Sequence, residues 1–225
     1  GGVGMIVAIV TTLLLDGIGN WVLIVAGGVV GSVVGVVGAR TVKMTAMPQM
    51  VALFNGVGGG AAALVALAEF HESGGVLSWD EALSTVISAL IGSISFAGSL
   101  VAFAKLQELL SGRPIGVPGQ NIVYILVLVA SAALGAAIVA GVEGEWTIAA
   151  LICLALVFGV MFVLPIGGAD MPVVISLLNA FTGLAASATG FVLDSTVLIV
   201  AGMLVGASGT LLTLMMARAM NRSVT

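Results

Sequence analysis

Two side-chain amides stand where the sequence is otherwise apolar. Asn179 lies in DMPVVISLLNAFTG, residues 170–183, seven residues past Pro172. Asn55 lies in MPQMVALFNGVGGG, residues 47–60, seven residues past Pro48. An amide taken out of water costs several kcal/mol unless it finds partners, so each residue needs a reason to be there. An amide cannot take up charge at physiological pH, but it both donates and accepts hydrogen bonds, which suits a file of water. Asp170, two residues before Pro172, is an acid at the mouth of the same segment. It serves as a helix N-cap, as a functional carboxylate, or as both. Ser84, Ser88, Gly92, Ser95 and Ser99 follow one another at spacings of four, four, three and four, which at 3.6 residues per turn is one stripe. Such a stripe reads either as interhelical hydrogen bonding or as a water-lined face.

The elements that must carry these residues follow from charge. The chain has 225 residues, of which 60% are hydrophobic and 7% charged, with a mean hydropathy of +1.31. A soluble domain carries roughly 25% charged residues, so the solvent for this chain is lipid. Charge-free runs at 17–39, 44–68, 82–104, 114–142, 146–169, 171–193 and 195–217 each meet the ~20 residues a helix needs to cross the hydrocarbon. None alternates polar and apolar residues as a barrel strand must. The run at 1–15 is shorter and reads as a trimmed span, not as a signal peptide. The expected fold is therefore an all-α, polytopic transmembrane bundle of about eight helices, with residues 1–225 forming one membrane domain.

Threading eight spans puts all six basic residues, Arg40, Lys43, Lys105, Arg113, Arg218 and Arg222, on one side, which the positive-inside rule makes cytoplasmic. Asp16, Glu69, Glu72, Asp80, Glu81, Glu143, Glu145 and Asp194 fall on the other, as do Trp21, Trp79 and Trp146. The net charge of −4 describes this asymmetry and gives no indication of nucleic acid. Pro48 and Pro172 both suit a first helical turn. Seven residues then place both amides about 10 Å into the membrane, on helices running in the same direction, as in a weak internal repeat. Gly27, Gly31 and Gly35 on the second helix, and Gly202, Gly206 and Gly209 on the eighth, permit close helix approach. Dimerisation or partner packing through close helix approach is expected, with the second helix a leading candidate for a tight internal contact.

Other features carry less. Cys153 is the single cysteine and reads as a packing thiol in helix six. His71, beside Glu69 and Glu72, reads as a solvated residue with a conceivable role in proton entry. Gly56, Gly58 and Ala61 fit a dinucleotide fingerprint, but inside a span with no preceding strand. Asn221-Arg222-Ser223 fits a glycosylation sequon on the cytoplasmic side. No nucleophile–base pair or metal-ligand spacing is present, so composition and spacing define a bundle with a polar interior and name no reaction.

Four stretches add a resemblance: VKMTAMPQMVALFNGVGGGAA, FAGSLVAFAKLQELLSGRPI, PIGGADMPVVISLLNAFTG and VGASGTLLTLMMARAMNRS. In order along the whole chain, they closely resemble the membrane part of the beta subunit of proton-translocating NAD(P) transhydrogenase. The resemblance implies a membrane subunit, in a bacterial inner membrane, coupling hydride transfer between NADH and NADP⁺ to proton movement. It implies Asn179 in the proton route, Asp170 at its cytosolic mouth, Ser99 near it and Glu81 on its far side. Several family members carry a histidine at the position of Asn55, and an asparagine cannot relay a proton by titrating. No cofactor is implied for this stretch, because NAD(H) and NADP(H) bind to soluble domains; this chain alone would perform no hydride transfer. The family's beta subunit has one further helix before this stretch and an NADP(H)-binding domain after it. Implied partners are the alpha subunit's membrane helices, the two nucleotide-binding domains, lipid, and a second copy of the complex. A secondary transporter or channel, with a solute site among helices three, four, seven and eight, is the alternative function.

Overall fold

The computed structural model describes residues 2–14, 18–116 and 119–221. Asp16, Pro118 and Arg222, the last with its sequon, lie outside the described residues. Eight α-helices and no strand occur among those described: α1 (Gly2–Leu13), α2 (Trp21–Thr41), α3 (Met47–Glu72), α4 (Trp79–Leu106), α5 (Gln120–Val139), α6 (Glu145–Val163), α7 (Met171–Val192) and α8 (Thr196–Ala219). Seven of them are long and apolar enough to cross a membrane, and α1, at 12 residues, is shorter. The helical bundle expected from the charge-free runs is therefore observed.

The chain divides into two compact units, Gly1–Met44 and Thr45–Thr225. In the first, α1 has no buried residue and α2 has only Gly38. A Cβ added at Gly27, Gly31 or Gly35 would meet no atom within 4 Å, so within this unit the row is not used for a close helix contact. A glycine row permits a close approach but does not supply the partner.

The second unit is built around α4, its most buried helix, which touches α3, α5, α6 and α7. Local sequence sets where each helix begins. Pro48 and Pro172 occupy the first turns of α3 and α7, where a missing N–H costs nothing. At the start of α4, the Glu81 carboxylate accepts from both the N–H (2.9 Å) and the hydroxyl (2.6 Å) of Ser78. Glycine then decides where helices touch. A Cβ on Gly92 would lie 2.6 Å from the Gly59 carbonyl oxygen, and one on Gly183 2.7 Å from the Gly206 nitrogen, so α3–α4 and α7–α8 meet backbone to backbone. The row in α8 is thus used as expected. On the other flank, Tyr124 donates to the Met161 carbonyl at 2.5 Å and meets Phe158 edge to face at 5.9 Å, joining α5 to α6.

The bundle is apolar at both ends and polar between them. One cluster holds Ala52, Val101, Ala102, Val163, Met171, Val174, Ile175 and Leu178, at the end where α4 and α6 finish. The other holds Ala66, Phe70, Ala82, Ala89, Ile138, Ile148 and Leu151, at the end where they begin. Within this unit Lys105, Arg113 and Arg218 lie at the first end, and Glu69, Glu72, Asp80, Glu81, Glu143, Glu145 and Asp194 at the second.

Candidate functional site

Between the two apolar clusters α3, α4 and α7 enclose a polar group centred on Asn55, which is 8% exposed. The Asn55 amide donates to Ser99 Oγ at 2.9 Å and to Ser95 Oγ at 3.2 Å. Ser95 Oγ in turn lies 2.9 Å from the Leu178 carbonyl and 2.5 Å from Thr182 Oγ1. Thr182 donates back to that carbonyl at 3.0 Å. Asn55 Oδ1 is buried with no hydrogen-bond partner. One end of the amide is satisfied by hydroxyls and the other is bare, an arrangement that costs roughly 1–3 kcal/mol for the unmet group. Four side chains from three helices thus form one connected network at mid-bundle depth. It can pass hydrogen bonds along α4, but it contains no group that titrates near neutral pH.

Asn179 is placed elsewhere. On α7, Leu178 and Thr182 face α4, whereas Ser176 and Gly183 face α8. At 100° per residue Asn179 falls between those two faces, and it is exposed on the side of the bundle. The two amides therefore share no hydrogen bond. Their matched distance from a proline sets matched depth but not matched azimuth, because Asn55 points into α4 and Asn179 past it.

The remaining expected site residues scatter. Ser99 is buried, at 1% exposure, and belongs to the Asn55 network. Glu81 is an exposed capping carboxylate at the acidic end of α4, about 20 Å along the helix from Ser95 by its rise per residue. Asp170 holds the N-cap position of α7 but makes no side-chain cap. Its backbone is helical at φ −94° and ψ −2°, whereas capping geometry needs an extended residue. The stripe on α4 also shifts at its outer end, where Thr85 is fully buried and Ser84 is partly exposed. Cys153 faces outward and is not packed in the core. His71 lies in the last turn of α3, exposed, and pairs with Glu145 of α6 at 2.6 Å. Gly56, Gly58 and Ala61 are all inside α3, with no strand before them. No cluster of three metal-binding side chains occurs among the described residues.

Sequence reasoning missed Thr182, which joins α7 to the network, and it missed the contacts of Lys105. Lys105 is 2% exposed and donates to the carbonyls of Leu164 at 2.5 Å, Ile166 at 2.8 Å and Arg113 at 3.4 Å. It closes the C-terminal end of α6, where carbonyls lack partners. The same region is zipped by Ile115 N–H to the Leu164 carbonyl and by Gly168 N–H to the Gly112 carbonyl. A basic residue after a hydrophobic run looks like a membrane-surface anchor, and only the fold shows that its acceptors come from another helix's end.

Fold and site together define a polytopic helical membrane protein with a polar layer sealed between two apolar ends. The model of the family described as NAD(P) transhydrogenase beta subunit matches residues 1–225, and the chain belongs to that family. Two curated Rhodospirillum rubrum proteins named NAD(P) transhydrogenase subunit beta are each 39% identical to it over 231 residues, covering 100% of this chain and 50% of theirs. The chain spans about half the length of these relatives.

Proposed function

We propose that this chain is the part of a transhydrogenase that carries the proton across the membrane, with the Asn55–Ser95–Ser99–Thr182 network as the inner segment of the route. The observation that carries the reading is that network itself, a connected line of buried donors and acceptors in the middle of a bundle of this family. Polar groups at membrane depth are expensive and turn to the bundle interior, where they join helices or line a pathway. The apolar clusters at either end are the plugs such a route needs against leak. The titrating group that this network lacks would come from a partner.

Asn179, expected to line the route from inside the bundle, instead stands on its outer side. An amide left on the outside of a bundle at membrane depth calls for a polar partner, and membrane helices of an alpha subunit would supply one. Hydride transfer would occur in soluble NAD(H)- and NADP(H)-binding domains, so this stretch would hold no cofactor. By the positive-inside rule, the face carrying Lys105, Arg113 and Arg218 is cytoplasmic, and Asp170 at that face would meet the NADP(H)-binding domain. The assembly would be a dimer in a bacterial inner membrane. The test is proton uptake and hydride transfer measured together in vesicles carrying the complete enzyme. Asn179→Leu should abolish coupled proton uptake, and Asn179→Asp should keep part of it. Full coupling in Asn179→Leu would take Asn179 off the route, and full coupling in Asn55→Leu would refute the reading.

A further inference from the structure

The network around Asn55 has a counterpart closer to the acidic end. Ser88 and Thr189, 0% and 5% exposed, place their hydroxyl oxygens 2.6 Å apart. Ser88 Oγ lies 3.1 Å from the Ala62 carbonyl, and Thr189 Oγ1 lies 3.0 Å from the Ala185 carbonyl. The pattern matches Ser95 and Thr182, which meet at 2.5 Å and both contact the Leu178 carbonyl. Ser88 and Ser95 are seven residues apart on α4, and Thr182 and Thr189 are seven apart on the antiparallel α7. The same serine–threonine pair is therefore built twice, two helical turns or about 10 Å apart.

Each pair is short of one hydrogen. It makes three oxygen–oxygen contacts, two to backbone carbonyls and one between its hydroxyls, but two hydroxyls bring only two hydrogens. With both hydrogens on carbonyls, two oxygens would face each other bare at 2.6 Å. One hydroxyl must turn from its carbonyl to bridge the pair, and either of them can do so. That leaves two hydrogen-bond directions of similar energy, the property a proton relay requires. One turn beyond Ser88, Thr85 is fully buried and its Oγ1 has no partner. Thr182, Thr189, Thr210 and Thr213 all place their hydroxyl within hydrogen-bond distance of the carbonyl four residues back, whereas the Thr85 hydroxyl is turned away from that position.

We propose that Ser88 and Thr189, with Thr85 next to them, form a second proton-transfer station in the outer half of the bundle. The station takes its proton from water and returns it to water. An incoming hydronium forms a new O–H bond with one hydroxyl oxygen. The bridging hydrogen crosses the short contact, and the second oxygen releases its own hydrogen to a water on the far side. Both side chains end neutral with one hydrogen each, their direction reversed. Between the stations stands the backbone contact of Gly59 with Gly92, which keeps the two from joining while α3 and α4 are closed. The assignment rests on the proton-route reading above, so the test separates the two.

Thr189→Val and Ser88→Ala remove a hydroxyl each, and Thr189→Ser keeps it. In vesicles carrying the complete enzyme, the first two should lower proton uptake about tenfold, less than the ~10² loss of a directly transferring acid or base. Thr189→Ser should restore most of it. Ser95→Ala probes the inner pair alongside. Normal uptake in both outer variants with a loss in Ser95→Ala would overturn the outer station and leave the route standing. Normal uptake in all three would overturn both. Should Thr189→Val fail to assemble, Thr85→Val, which keeps the volume of a hydroxyl that bonds to nothing, decides the matter with Ser88→Ala: a loss supports the station and normal uptake refutes it.

Discussion

Replacing Gly92 by alanine should destabilise this protein, although alanine is the better helix former. In an open helix the exchange favours folding by about 1 kcal/mol. At Gly92 the added methyl would stand 2.6 Å from the Gly59 carbonyl oxygen and 3.0 Å from the Ala63 nitrogen. Both are backbone atoms, so no side chain can swing aside. The two helices would have to part by roughly 0.8 Å to reach the 3.4 Å of ordinary contact, disturbing one of the two most extensive helix contacts in the bundle along with it. Overpacking of this kind costs about 1–3 kcal/mol, with the upper end applying where the obstacle is backbone. The net loss is about 1–2 kcal/mol, or a fall in Tm of about 2–8 °C at this chain length. Gly27→Ala is the matched control, because the position it fills is open. It should raise Tm by about 2–4 °C or leave it unchanged. Thermal unfolding of the purified protein in detergent, followed by circular dichroism, reads both. A rise in Tm for Gly92→Ala comparable to that for Gly27→Ala would refute the close α3–α4 contact.

Three further outcomes follow from the same geometry. Lys105→Met should strip the cation from the end of α6 at a cost of roughly 1.5–3 kcal/mol, the net worth of a hydrogen bond to a charged group, and a cysteine probe at position 168 should label faster as the zipped loop loosens. Thr213→Val removes the hydroxyl that lies 2.8 Å from the Gly209 carbonyl and 3.0 Å from Ser176 Oγ, donating to one of them. It should lower stability by about 1 kcal/mol in the same unfolding assay. Asn179→Leu should leave the thermal stability of the isolated chain unchanged, since its amide is exposed, while its effect appears only in the assembled enzyme.

Helix number and placement were legible because charge is excluded from lipid, and every charge-free run of sufficient length became a helix. The first turns at Pro48 and Pro172 were legible for an equally local reason, the missing N–H. Azimuth was not. Asn55 and Asn179 share depth and flanking proline, yet one is buried on α4 and the other exposed, because which face a helix turns inward depends on its neighbours. The stripe on α4 was visible down to Ser88, but its outer end at Thr85 departs from simple spacing. Thr182 lacked any signal in its own segment; the seven-residue repeats Ser88–Ser95 and Thr182–Thr189 on antiparallel helices are the pattern that could have found it. Lys105 shows the remaining gap, since a cation held by carbonyls of a distant helix end has the same sequence context as one held by water.

The most direct test of the central claim is the number of protons taken up per hydride transferred by the complete enzyme carrying Asn55→Leu, reconstituted in sealed vesicles. Leucine branches at the same carbon as asparagine but is larger and cannot donate to Ser95 or Ser99, so the network is cut, and thermal unfolding of the same variant checks that the bundle persists. Proton uptake reduced to the level of empty vesicles is the predicted result. Uptake at the unsubstituted ratio would show that the proton does not pass through this network.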